Sequence, residues 1–251
     1  MTRTHLLEGK SAVGTMIRII RTPAVVLVAK SAGLDFVMFD MEHGPVGLET
    51  ISDAASLARS EGIDCFVRVP ELTKGYVSRA LDCGVTGVMV PMIRNGEEAY
   101  QFAQWAKYQP IGNRGLGGWG AHTNYRDSSA MGEAFLREEN ERILTIAQIE
   151  CSEAITNIDD IAGIDGIDAL LIGPVDLSNS LGVGGQLSHP KMEEAITLVC
   201  EAAKRHNKVF GMHSGAALLH SWIPRGCQLR MSSMDIELLY EGMRAITALK
   251  E

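Results

Sequence analysis

Residues 36–45 read "FVMFDMEHGP". Phe36 to Phe39 form an apolar run, and Asp40, Glu42 and His43 then follow within four positions, before Gly44 and Pro45 open a turn. A short apolar run ending at a turn reads as a buried strand. A single acid beyond it could cap a helix, whereas three ionisable groups at a strand's carboxyl end suggest a site. The same pattern recurs outward along the chain. Strands are predicted at 12–17, 36–40, 65–69, 87–90, 143–149, 169–173, 208–212 and 229–233, with amphipathic helices between them, such as 48–62 and 190–207. Eight strands, each followed by a helix, predict an α/β fold of the (β/α)₈ TIM-barrel type, with residues 1–251 as one domain. The competing doubly wound sheet would need a Gly-rich phosphate fingerprint after its first strand, and none is present.

The bulk properties agree. The chain has 251 residues, 46% apolar and 22% charged, which suits a globular domain with a sizeable core. A net charge of −8 argues against a nucleic-acid partner. The five cysteines are odd in number and form no CxxC pair, so they read as reduced thiols and a cytoplasmic address is expected. No signal-like or membrane-spanning stretch is seen, so no membrane partner is expected. The gap at 91–142 holds a helix near 96–107 and then the Gly-rich "YQPIGNRGLGGWGAHTNYRD" (108–127). A long loop of this kind is expected on the catalytic face.

In a barrel, polar residues at carboxyl ends of strands are candidates for chemistry. Besides Asp40, Glu42 and His43, these are Arg68, Gln148, Glu150, Asp176 beyond Gly173-Pro174, and His213 with Ser214. Glu150 and Asp176 end neighbouring strands. Each could cap its following helix, or both could converge on a hard cation such as Mg²⁺ or Mn²⁺. Arg68 either forms a buried ion pair with Asp40 or Glu42, or presents a cation to a carboxylate or enolate oxygen. His43 is a helix-start residue or a general base, and a base needs an orienting carboxylate. Asp82 could serve if the fold brings it close. His189, before Pro190, has a capping context.

"FDMEHGP" (39–45), "VRVP" (67–70), "ALDCGVTGVMVPMI" (80–93), "PIGNRG" (110–115), "QIE" (148–150) and "GPVDLS" (173–178) resemble, in order and spacing, the HpcH/HpaI family of class II pyruvate aldolases. The resemblance implies a modified TIM barrel whose eighth helix is swapped between subunits, assembled as a hexameric trimer of dimers. It implies dependence on a divalent metal (Mg²⁺ or Mn²⁺, with Co²⁺ or Zn²⁺ as further candidates). It also implies reversible cleavage of a 4-hydroxy-2-oxo acid to pyruvate and an aldehyde. Carried over, Glu150 and Asp176 look like metal ligands, and Gln148 like the residue that positions substrate. His43 and Asp82 resemble the dyad behind the base, and Arg68 the enolate stabiliser. Backbone from Gly173 through Pro174 and Val175 to Asp176 would hold the pyruvate carboxylate, although Pro174 has no N–H to give. Asp40 and Glu42 would form part of the pocket rim. Val175 stands where Ala is commoner, Trp119 and His122 lie in a variable loop, and His213 and Ser214 replace residues that are often apolar. These departures leave the aldehyde open.

Other readings make different demands. A Schiff-base aldolase needs an inward Lys near the catalytic end; of the eight lysines, Lys208 is at the wrong end of its strand and Lys74 is a loose candidate. An acyl-CoA lyase of the citramalyl or malyl type needs a basic groove. Oxaloacetate decarboxylation would use the same enolate. A non-catalytic barrel that binds a 2-oxo acid would have lost a ligand or Arg68.

Overall fold

The structure, a computed structural model, describes residues 2–127 and 132–250. Eight parallel strands close into a barrel in sequence order: β1 (Ala12–Ile17), β2 (Phe36–Asp40), β3 (Asp64–Arg68), β4 (Gly87–Val90), β5 (Leu144–Ile149), β6 (Ala169–Ile172), β7 (Val209–His213) and β8 (Leu229–Met234). Around them run α1 (Thr2–Leu7), α2 (Val25–Ser31), α3 (Leu48–Glu61), α4 (Lys74–Asp82), α5 (Gly96–Ala106) and α6 (Gly132–Arg142). The second half carries α7 (Ser152–Thr156), α8 (Ile158–Ala162), α9 (Pro174–Ser180), α10 (Pro190–Arg205), α11 (Ala216–Trp222) and α12 (Asp235–Ile246). The (β/α)₈ expectation holds, with strand boundaries within one residue of those read from the sequence.

Strand alternation sorts the core into two clusters. Met16, Phe36, Met38, Phe66, Met89, Ile146, Leu171 and Met231 fill the barrel interior. Val37, Phe39, Val67, Val88, Ile149 and Ile172 pack outward against the helices. Continuing the inward parity by one step past the last apolar layer brings Asp40, Arg68, Gln148 and His213 to the carboxyl end of the barrel. The β2–β3 register sets Asp40 beside Arg68.

Two local expectations change. The segment after β4 contains α6, which the sequence reading missed because "GEAFLREENER" buries only Phe135, Glu139 and Asn140 and so carries a weak apolar stripe. The described part of the Gly-rich loop, 108–127, does not line the cavity at the strand ends. It follows α5 rather than a strand, and chain direction therefore starts it at the barrel's amino end. There Lys107 Nζ bonds Asn140 O, Ile143 O and Asp168 Oδ2. Farther on, Arg114 ties the loop to Asp82 at the end of α4.

Candidate active site

A cavity of about 670 Å³ opens at the carboxyl ends of the strands. Arg68, Gln148, Glu150, Gly173 and Asp176 form one wall; His213, Ser214, Ser233 and Glu237 form another, with Arg18 and His43 at the edge.

The opening stretch has a structural answer. Asp40 is fully buried and grips Arg68 with both oxygens, at 2.9 Å to Nε and 2.8 Å to Nη2. Arg18 Nε also reaches Asp40 Oδ2, at 2.9 Å. The backbone N–H groups of Glu42 and His43 donate to Asp40 Oδ1. One carboxylate thus fixes the guanidinium and the turn that carries His43. Gly44 lets that turn close, since a Cβ there would collide with the backbone carbonyls of Asp40 and Arg18. Burial pushes the Asp40 carboxyl up, but Arg68 and then Arg18 more than offset it, leaving it below its ordinary value.

Asp40 and Glu42 were expected on the pocket rim, and neither lines the cavity. Asp40 lies beneath it because its strand parity points it into the barrel, where two guanidiniums neutralise it. Glu42 spends its carboxylate on Arg68 Nη1, 2.8 Å away. Both ion-pair partners considered for Arg68 are therefore used at once.

Glu150 is 2% exposed. Its Oε1 accepts the Met92 N–H at 2.8 Å, and its Oε2 accepts from Gln148 Nε2 at 2.5 Å. Burial first, and then the charges of Glu42 and Asp176, push its carboxyl up to about 7 against the Met92 bond and Arg68. Neither acid caps its helix: no side-chain cap bond exists at the start of α7 or α9, and Asp176 sits in the first turn of α9. The capping reading therefore does not account for either residue.

The residues present fit a cation. Gln148 Oε1 is a buried acceptor with no partner, and acids that raise one another's proton affinity are relieved by positive charge. Gly173 keeps the space open, because a Cβ there would overlap the Glu150 carboxylate and crowd the Gln148 amide. Among the described residues no cluster of three His, Cys, Asp or Glu side chains forms a ready cage. Two carboxylates with open positions is the pattern expected for a hard ion that keeps waters and shares its shell with substrate.

The proposed dyad is not formed within the chain. The side chain of His43 is half exposed, and the carboxylate near it is that of Glu42, 3.7 Å away. Asp82 is held instead by Arg114 Nη2 at 2.5 Å, since α4 runs away from the catalytic face before Asp82 is reached. No lysine lines the cavity. Lys107, whose burial holds its ammonium below the ordinary lysine range despite Asp168, is at the other end of the barrel. His189 caps α10, its Nδ1 accepting the Lys191 N–H.

Sequence reading missed Arg18 and Asp235. Buried Asp235 accepts N–H groups from Arg18, Ile19 and Ile20, locking the end of β1 to the start of α12. The signal for Arg18 was available: it continues the inward parity of Met16, as Arg68 continues that of Phe66.

A carboxylate-lined cavity with a fixed guanidinium at the carboxyl face of a (β/α)₈ barrel stands where enzymes of this fold carry their chemistry. The model of the HpcH/HpaI aldolase/citrate lyase family matches residues 20–233, and the chain belongs to that family. The chain is similar to a solved HpcH/HpaI aldolase from Desulfitobacterium hafniense, with a TM-score of 0.92 and 34% identity over 99% of this chain and 96% of that one. It is 30% identical to the 4-hydroxy-4-methyl-2-oxoglutarate aldolase tasA of Hapsidospora irregularis, over 83% of this chain and 79% of that protein. It is 27% identical to a hydroxypyruvate/pyruvate aldolase of Cupriavidus necator, over 98% of this chain and 90% of that protein.

Proposed function

We propose that residues 1–251 act as one barrel domain, a divalent-metal-dependent class II aldolase that reversibly cleaves a 4-hydroxy-2-oxo acid to pyruvate and an aldehyde. The observation that carries this reading is the convergence of Glu150, Asp176, Gln148 and Arg68 on one cavity at the strand ends. Glu150 and Asp176 would hold the cation, with Mg²⁺ or Mn²⁺ favoured by their all-oxygen donor set. When bound, it supplies a Lewis acid for the negative charge that develops on the 2-oxo acid.

The chain's own groups do the rest. Arg68, locked by Asp40 and Glu42, keeps a fixed positive charge beside the keto oxygen as negative charge builds there. The N–H groups of Val175 and Asp176, in the first turn of α9, point where an anion is stabilised and would hold the substrate carboxylate. Gln148 orients the substrate through its free Oε1 and its bond to Glu150. His43, at the cavity edge, exchanges the proton with solvent. The two cations on the walls, Arg18 and Arg68, are both paired with Asp40, which gives no support to a CoA groove. Oxaloacetate decarboxylation remains compatible, since it passes through the same enolate.

Pyruvate in D₂O, followed by NMR of its methyl protons, tests this without an aldehyde. Exchange is expected with Mg²⁺ or Mn²⁺ and not after chelation. Metal-independent exchange, or none with any divalent ion, would overturn the reading.

The hexamer with a swapped α12 belongs to the same proposal. Leu238, Tyr240, Met243 and Ile246 on α12 are 55–64% exposed. An amphipathic helix that leaves its apolar side bare needs a partner, and a second copy of the chain supplies one. Sedimentation should give six chains of 27.2 kDa, and the Leu238→Glu/Met243→Glu double variant should give smaller particles. A monomeric wild type would refute the assembly. No helix among the described residues is long and apolar enough to cross a membrane.

A further inference from the structure

The part of the cavity at the ends of β7 and β8, beside the β6 end that leads to Asp176, plays no part in the pyruvate chemistry, yet it is polar and organised. His213 ends β7, and its ring nitrogen Nε2 lies 3.2 Å from the carbonyl oxygen of Ser233 at the end of β8. A carbonyl can only accept, so Nε2 carries the proton in this contact. Burial, ahead of the opposing Ser233 bond, holds the imidazole below its ordinary histidine value, so the ring is neutral at pH 7. Nδ1 is then an acceptor on a ring that lines the cavity. Ser233 Oγ donates to Glu237 Oε2 at 2.9 Å, placing a carboxylate on the same wall. This wall therefore offers acceptors. Arg18, at the edge of the same cavity, gives its Nε to Asp40.

Such a wall complements O–H donors and disfavours anions. An aldehyde with a carboxylate would meet the Glu237 carboxylate on that wall. A purely aliphatic one would leave the His213 acceptor desolvated and unpaired, which is costly. Resting on the aldolase reading above, we infer that the site selects neutral hydroxylated aldehydes, with His213 as the specificity-determining acceptor for a substrate hydroxyl. The wall borders the same cavity as the metal-ligand candidates, in which the aldehyde would meet the enolate. Ser233 supports the arrangement: its positive φ of 61°, a conformation uncommon outside glycine, belongs to the residue whose carbonyl fixes the ring.

The test is a pair of ratios. With pyruvate and Mg²⁺, kcat/KM is measured for glycolaldehyde against acetaldehyde and for glyceraldehyde against propionaldehyde. Wild type, His213→Leu and His213→Gln are compared, and each ratio is internal to one protein, so a general loss of activity cancels. Wild type is expected to favour the hydroxylated member of each pair. His213→Leu should cut that preference by about tenfold or more, and His213→Gln, whose amide can donate to Ser233 and still accept, should restore part of it. Equal ratios in wild type and His213→Leu would overturn the assignment, as would a wild-type preference for succinic semialdehyde over glyceraldehyde. If His213→Leu does not fold, an unchanged ratio in His213→Ala decides against the proposal in the same way. Failure of wild-type methyl exchange in D₂O is a separate outcome that removes the enolate reading and this inference with it.

Discussion

Arg68→Ala is expected to lower metal-dependent pyruvate enolisation and aldol turnover by about 100- to 1000-fold, acting on kcat more than on KM. The guanidinium cannot shed its charge, and its side chain is 6% exposed in a wall of the cavity. Asp40 and Glu42 hold it by both edges, so little reorganisation is needed when charge develops beside it. Arg68→Lys should recover only a small part of the rate, because an ammonium cannot reproduce the bidentate grip of Asp40. Stability must be measured alongside. Removing Arg68 strips buried Asp40 of one partner, but Arg18 still neutralises it, so the folded state should survive. A well-folded Arg68→Ala protein with near wild-type kcat would exclude Arg68 from the chemistry.

The second large effect is on folding, at the opposite end of the barrel. Asp168→Asn should destabilise the protein by about 3–5 kcal/mol, since it leaves a buried ammonium without its counter-charge. For a chain of this size that corresponds to a loss of roughly 10 °C in Tm. Asp168 accepts from Lys107 at 3.0 Å, Arg3 at 2.7 Å, and the Thr145 N–H and hydroxyl at 3.0 and 2.9 Å. Lys107 itself is 1% exposed. Burial alone would raise the Asp168 carboxyl, but Lys107 and Arg3 outweigh it and bring it from 3.8 down to about 2. A folded-state value below the unfolded one means stability that is complete above pH 4 and lost as pH falls from 4 toward 2. The difference is worth about 2 kcal/mol. Acid denaturation of wild type should therefore steepen in that window, and Asp168→Asn should flatten it. Melts that superimpose across pH 2–5 would sink this account.

Much of the fold was legible because its signals are local. The short apolar runs at 36–40, 144–149 and 169–172 and the helical stripe of 190–205 are written within single elements, and their repetition predicts a closed barrel. The resemblance to the HpcH/HpaI family also rested on short local motifs, and the family model agrees with it. Gln148, Glu150, Asp176 and Arg68 were legible for the same reason: each lies at or just past a strand's carboxyl end, where barrel topology leaves one face to project onto. What the sequence could not decide was which charges meet. Asp40, Glu42 and His43 look equivalent in "FDMEHGP". Strand pairing decides that Asp40 is buried between two guanidiniums, that Glu42 serves Arg68, and that His43 reaches the cavity edge. Asp82 looked like a partner for His43 until the direction of α4 carried it away to Arg114. The Gly-rich loop was expected on the catalytic face although a helix near 96–107, observed as α5, already stood between it and β4. The sequence by itself determined the periodicity, and through it the barrel and the strand ends. The pairing of buried charges depends on the register between strands and the path of each helix, and those are set by contacts between residues far apart in the chain.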